Sequence, residues 1–127
     1  MVYGIGTDIL KISNIAPCVS NLNDPFVRKI YTPAEVELIT SRPIPLNSFA
    51  TRFSGKEAVF KAMNLNGDAI RLNDIEILEN ENGQPTVTLY GNALRLAQEK
   101  GISHILISLS YDTDYSIAYA AAISKEN

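Results

Sequence analysis

The chain of 127 residues has one cysteine, one histidine and no tryptophan. A lone Cys18 excludes an intrachain disulfide and fits a reduced, cytoplasmic setting. With His104 as the only imidazole, four Cys/His ligands for a structural zinc site cannot be assembled. A hydrolytic triad has little support: no G-x-S-x-G elbow is present, and Ser108 and Ser110 have no histidine beside them. Positive charge is not in excess, with 11 Lys+Arg against 14 Asp+Glu, so neither nucleic acid nor an anionic membrane is expected as a partner. Apolar runs fall far short of the roughly 18–20 residues that a membrane span needs. The stretch Met1–Asp8 lacks the basic and long apolar regions of a signal peptide. No GxxxxGK[ST] loop occurs, and Gly4-x-Gly6 lacks the third glycine of a dinucleotide fingerprint.

What remains is an ordinary globular composition, 46% apolar and 20% charged, of the size of one domain spanning residues 1–127. Val2, Tyr3, Ile5, Ile9, Leu10 and Ile12 predict a buried strand that bends or ends near Gly4 and Gly6. Thr32-Pro33-Ala34-Glu35 is a helix start with a capping box, and Arg42-Pro43 should stop that helix. Pro43 and Pro45 mark a loop. Residues 48–63 predict the best helix, capped by Ser48 and ended by Asn64–Gly67. Strands around Ile75–Ile77 and Thr86–Leu89 flank a turn at Glu81-Asn82-Gly83. Asn92 should cap a short helix that Gly101 ends, and alternation predicts a last hairpin over 105–110 and 117–123. Ser124–Asn127 reads as a loose tail. Strand, helices, hairpin, helix, hairpin is an α+β order with a mostly antiparallel sheet.

Two groups of residues carry possible chemistry. Glu57 and Lys61 are four apart on the long helix, which by itself describes a surface ion pair. Phe53 and Phe60 nearby argue against full solvation, and Arg52 and Lys56 add cations along the adjoining stripe. Asp8 lies inside an apolar strand, where an unpaired carboxylate is costly. It reads either as a turn-stabilising aspartate or as half of a carboxylate pair with Glu57. Magnesium takes oxygen ligands, commonly one or two carboxylates completed by substrate phosphates and water. A neighbouring lysine and arginine would then neutralise phosphate charge. His104 is assigned a structural or surface role.

These residues also resemble a known family. Gly4-Ile5-Gly6-Thr7-Asp8-Ile9, followed by Phe49-Ala50-x-Arg52-Phe53-x-x-Lys56-Glu57-Ala58-x-x-Lys61-Ala62, resembles the holo-acyl-carrier-protein synthases, the small class of 4′-phosphopantetheinyl transferases. Lys29–Glu35, Asp74–Ile77, Asn82-Gly83-Gln84-Pro85 and Ser108-Leu109-Ser110 continue the match in order, over roughly residues 2–123. The resemblance implies the 4′-phosphopantetheinyl transferase fold and a Mg2+-dependent reaction. In it the phosphopantetheine arm of coenzyme A moves to a serine of an acyl carrier protein, releasing adenosine 3′,5′-bisphosphate. It further implies that Asp8 and Glu57 hold the metal and that Lys61 contacts the pyrophosphate. Arg52, Gly83 and Pro85 of the hairpin turn, and the Ser110–Tyr111 region, would hold the nucleotide. A homotrimer with sites between protomers is implied too.

The chain departs from the family pattern at three places. Tyr111 stands where a histidine is usual, Asn64-Leu65-Asn66-Gly67 replaces a Gly-Thr-Gly turn, and Asn14 replaces a carrier-docking arginine, leaving Lys11, Arg28 and Lys29 as the nearest basic candidates. Two other functions compete: a catalytically weak homologue that binds coenzyme A or carrier, and an unrelated metal-dependent phosphoesterase. The phosphoesterase would ordinarily need more metal ligands than this chain offers. Residues 115–123 are apolar on both faces, and their alanines should pack closely against another surface, of this chain or of a second one.

Overall fold

The computed structural model describes residues 1–125. Chain order is β1 (Val2–Lys11), α1 (Ile12–Val19), α2 (Pro25–Ile30), α3 (Pro33–Thr40), α4 (Pro45–Ala62), β2 (Ile75–Glu79), β3 (Pro85–Leu89), α5 (Gly91–Glu99), β4 (Ile102–Tyr111) and β5 (Tyr115–Ser124). Every strand pairing is antiparallel: one sheet has the order β1–β5–β4, and β2–β3 is a separate hairpin. The α+β expectation holds.

Helix α4 is the centre of the molecule and packs on β1, β5, β4 and β2. Close packing requires small residues on both sides. Ala118, Ala120 and Ala122 of β5 are buried beneath α4, as are Ala58 and Ala62 of the helix itself. The alanine stripe is thus covered by this chain's own helix. β1 shifts register against β5 between Val2 and Gly4 but does not end at its glycines, and it runs on to Lys11. Gly6 is required because α4 passes over it: an added Cβ would lie 2.7 Å from the Ala62 nitrogen and closer still to the Ala58 carbonyl oxygen. A second core under α1–α3 gathers Ile12, Ile15, Val19, Val27, Tyr31, Ile39 and Phe49, and Phe26 stacks on Phe53.

Other boundaries differ from the sequence expectation. α4 starts at Pro45, not Ser48, because proline suits the first helical position and Ile44 takes the cap. α5 starts at Gly91 with Tyr90 before it, so Asn92 lies inside the helix and does not cap it. Periodicity predicts neither α1 nor α2. α2 nonetheless has a cap in Asp24, whose carboxylate accepts from the Phe26 nitrogen at 2.9 Å. The tail expectation fails at Ser124 and Lys125, whose nitrogens donate to Met1 and Gly101 carbonyls at 2.8 and 2.7 Å. Glu126 and Asn127 lie outside the described residues. Among the described residues no helix is long and apolar enough to cross a membrane.

Candidate active site

The capping box predicted at Thr32–Glu35 is present, and it does more than start a helix. Thr32 Oγ1 accepts from the Glu35 nitrogen, and the Glu35 carboxylate accepts from the Thr32 nitrogen at 2.9 Å. The same carboxylate, fully buried, accepts from the Ile77 nitrogen at 2.8 Å and from Lys56 Nζ at 2.7 Å. Lys56 spends its other two protons on the Leu72 and Ile75 carbonyls. Three ammonium protons therefore meet three acceptors. This overturns the reading of Lys56 as a cation on the site's stripe: it faces the interior and ties α4 to α3 and β2. Burial pushes its ammonium below the usual lysine range, and Glu35 draws it partway back.

The helical repeat turns Glu57 and Lys61 the other way, toward β1. Lys61 Nζ lies 2.9 Å from the Thr7 carbonyl oxygen and 3.2 Å from Asp8 Oδ1. Glu57 is half-buried beside them. Burial is the main cause that pushes its carboxyl above the usual range, the Asp8 charge adds to it, and Lys61 opposes both. The structure therefore brings Asp8, Glu57 and Lys61 together from a strand and a helix. The pairing of Asp8 with Lys61, on top of its closeness to Glu57, was not visible in the spacing. It depends on β1 lying against α4 at Gly6.

Arg52 points to a different place. It shares the Lys56 side of α4, is 7% exposed, and sets Nη2 3.7 Å from Glu79 Oε2. Glu79 pairs in register with Pro85 across the β2–β3 hairpin. Gly83 occupies the turn with φ 79°, a left-handed conformation that glycine adopts freely. The Asn80 side-chain oxygen accepts from the Asn82 and Gln84 nitrogens at 2.9 and 3.0 Å and shapes that turn. Arg52, Gly83 and Pro85 thus form a second group at the hairpin. Ser110 and Tyr111 form a third, at the exposed end of β4. Ser110 lies on the opposite sheet face from Asp8: Leu109, not Ser110, shares the row of Ala118 and Asp8. Tyr111 takes the row of Ser116 and Leu10 and so shares the face of Asp8, while Ser110 does not. His104 is exposed on β4, with Nδ1 2.8 Å from Ser103 Oγ, in keeping with a surface role.

Residues 4–120 match the family model described as the 4′-phosphopantetheinyl transferase superfamily. The chain belongs to that superfamily. The transferase is 42% identical over 122 residues to a holo-[acyl-carrier-protein] synthase of Dehalococcoides mccartyi, covering 96% of this chain and 98% of that one. Its fold matches the crystal structure of the holo-ACP synthase of Plasmodium yoelii with a TM-score of 0.85 at 32% identity, covering 99% and 98% of the two chains. The Helicobacter pylori holo-[acyl-carrier-protein] synthase, solved in complex with coenzyme A, aligns with a TM-score of 0.80 at 28% identity, over 93% and 98%.

Among the described residues no three His, Cys, Asp or Glu side chains gather as a metal cage. Two carboxylates that crowd each other are a different kind of donor set. They fit a hard cation such as magnesium, which takes one or two carboxylates and leaves its remaining positions to substrate phosphate and water. A cation there would also relieve the repulsion that raises Glu57.

Proposed function

We propose that the transferase moves the 4′-phosphopantetheine arm of coenzyme A to a serine of an apo acyl carrier protein, in a Mg2+-dependent reaction. The observation that carries this reading is the convergence of Asp8, Glu57 and Lys61 from β1 and α4. The serine oxygen bonds to the phosphorus of the pantetheine-side phosphate, and the bond from that phosphorus to the bridging oxygen breaks. Adenosine 3′,5′-bisphosphate leaves. Glu57 accepts the serine proton as general base. Lys61 sets its positive charge against the leaving phosphate. Magnesium, held by Asp8 and Glu57, would supply charge neutralisation on the diphosphate. Arg52 and the Gly83–Pro85 turn hold the nucleotide, and the Ser110–Tyr111 end of β4 adds polar contacts.

The test is the intact mass of an apo carrier incubated with coenzyme A, magnesium and this protein, beside a chelator control. The expected result is a metal-dependent gain of one phosphopantetheine. An unchanged mass with several apo carriers would leave only a binding homologue, and free hydrolysis of coenzyme A would reject carrier modification. Arg28 and Lys29, exposed in the last turn of α2, are the basic residues offered to an acidic carrier.

We further propose a homotrimer with active sites between protomers. The outer face of the three-stranded sheet supports this. Ile5, Ile9, Leu106 and Tyr119 are 76%, 65%, 56% and 60% exposed there, and no described element of the chain covers them. Ser110 lies on that same face, so a neighbouring copy seated there would meet it. Ile5→Lys is expected to give a folded monomer by sedimentation, with transfer lost. A wild-type chain that sediments as a fully active monomer would refute the assembly.

A further inference from the structure

The cluster at the hairpin contains a carboxylate for which nucleotide binding has no evident use. Arg42, from the turn after α3, bonds through Nη2 to Glu79 Oε1, and Arg52 reaches Oε2 from α4. The two guanidiniums come from different elements and meet on one side chain. Their charges exceed that of Glu79 by one. Arg52 is 7% exposed, and its Nε is buried without an acceptor among the described residues. Burial pushes the Arg52 guanidinium below its usual range, and Glu79 only partly restores it. A single carboxylate therefore leaves both charge and a donor unmet. A phosphate monoester, with up to two negative charges and three acceptor oxygens, would meet both.

Coenzyme A carries its phosphates as two groups, a diphosphate and a monoester on the ribose. Asp8, Glu57 and Lys61 serve the diphosphate in the reading above, on the β1 side of α4. Arg42 and Arg52 lie on the β2 side, beside Pro85. We propose that Glu79 is a built-in competitor for the ribose phosphate on Arg42 and Arg52: it holds both guanidiniums until the nucleotide arrives and must release them for it to bind. The inference rests on the reading of the chain as a coenzyme A-dependent transferase. Its consequence is directional. Adenosine 3′,5′-bisphosphate carries the same ribose phosphate as coenzyme A, so Glu79 weakens the hold on substrate and product alike and speeds product release.

Glu79→Gln keeps the side-chain shape and removes the charge. Calorimetric titration of the full chain with coenzyme A, and with dephospho-coenzyme A, which lacks the ribose phosphate, reads the effect. Coenzyme A is expected to bind about fivefold tighter in the variant, the size of one partly exposed ion pair. Dephospho-coenzyme A is expected to be unchanged. Weaker or unchanged coenzyme A binding, or an equal gain for both ligands, would overturn the proposal. Should Glu79→Gln not fold, Glu79→Asn is read in the same way. A wild-type chain that binds no coenzyme A sinks the transferase reading alone. Adenosine 3′-phosphate against adenosine then decides Glu79: selective tightening of the phosphate supports it, and no selectivity overturns it.

Discussion

Glu57→Gln is expected to lower kcat for carrier modification by at least about a thousandfold while the protein stays folded. A positioned general base is worth about 10²–10⁴-fold, and the same carboxylate is also proposed to hold the metal. Glutamine keeps the volume and an acceptor oxygen but can neither take a proton nor carry the charge. Thermal unfolding in metal-free buffer supplies an independent reading. The folded protein raises the Glu57 pKa, through burial first and the Asp8 charge second. For an acid with a raised folded value, the stabilising contribution is fully present below the unfolded value of about 4.3 and is lost as pH rises through the folded value. Ionised Glu57 therefore works against folding at neutral pH. Glu57→Gln should melt higher than wild type at pH 7–8, with the gap closing as pH falls toward 4. Activity within tenfold of wild type would remove Glu57 from the chemistry, and a melting temperature below wild type would show that its carboxylate supports the fold.

That site was partly legible in the sequence. The i,i+4 spacing of Glu57 and Lys61 needs only a helix, and α4 is there. An aspartate inside an apolar strand is a visible anomaly, and Asp8 does find Lys61. Spacing does not tell which helix face meets which strand. Arg52 and Lys56 read as cations on a stripe adjoining Glu57 and Lys61, yet Lys56 faces the buried Glu35. The second and third contacts of Glu35, to Ile77 and Lys56, are long-range and leave no local pattern beyond the capping box. Gly4 and Gly6 were visible as interruptions, but their cause is a helix remote in sequence. α1 buries Ile12, Ile15 and Val19 at helical spacing, and the run-on from β1 together with Pro17 inside the helix hid it. Ser110 and Tyr111 stand out only through the resemblance, and the place of Ser110 on the face away from Asp8 shows only once the sheet is folded.

The two lysines of α4 should fail in opposite ways. Lys56→Met removes the ammonium bonded to Glu35 and leaves that carboxylate buried, together with the Leu72 and Ile75 carbonyls. Breaking a buried pair from one side costs about 3–5 kcal/mol, a large share of the ~5–15 kcal/mol that keeps a domain folded. The melting temperature should fall by roughly 10–20 °C. Since β2 carries Glu79, and the hairpin carries Gly83 and Pro85, loosening this tie also loosens the nucleotide side from α4. Lys61→Ala removes a half-exposed ion pair, worth at most about 1 kcal/mol, and should melt within a few degrees of wild type. Its loss should appear in transfer instead, because the Lys61 ammonium beside Asp8 is the side-chain charge set against the leaving phosphate. Differential scanning calorimetry beside the carrier mass assay separates the two residues. A Lys56→Met protein as stable as wild type would show that Glu35 is held by its backbone donors alone. A Lys61→Ala protein that melts early would make that lysine a strut between β1 and α4, whatever it does to turnover.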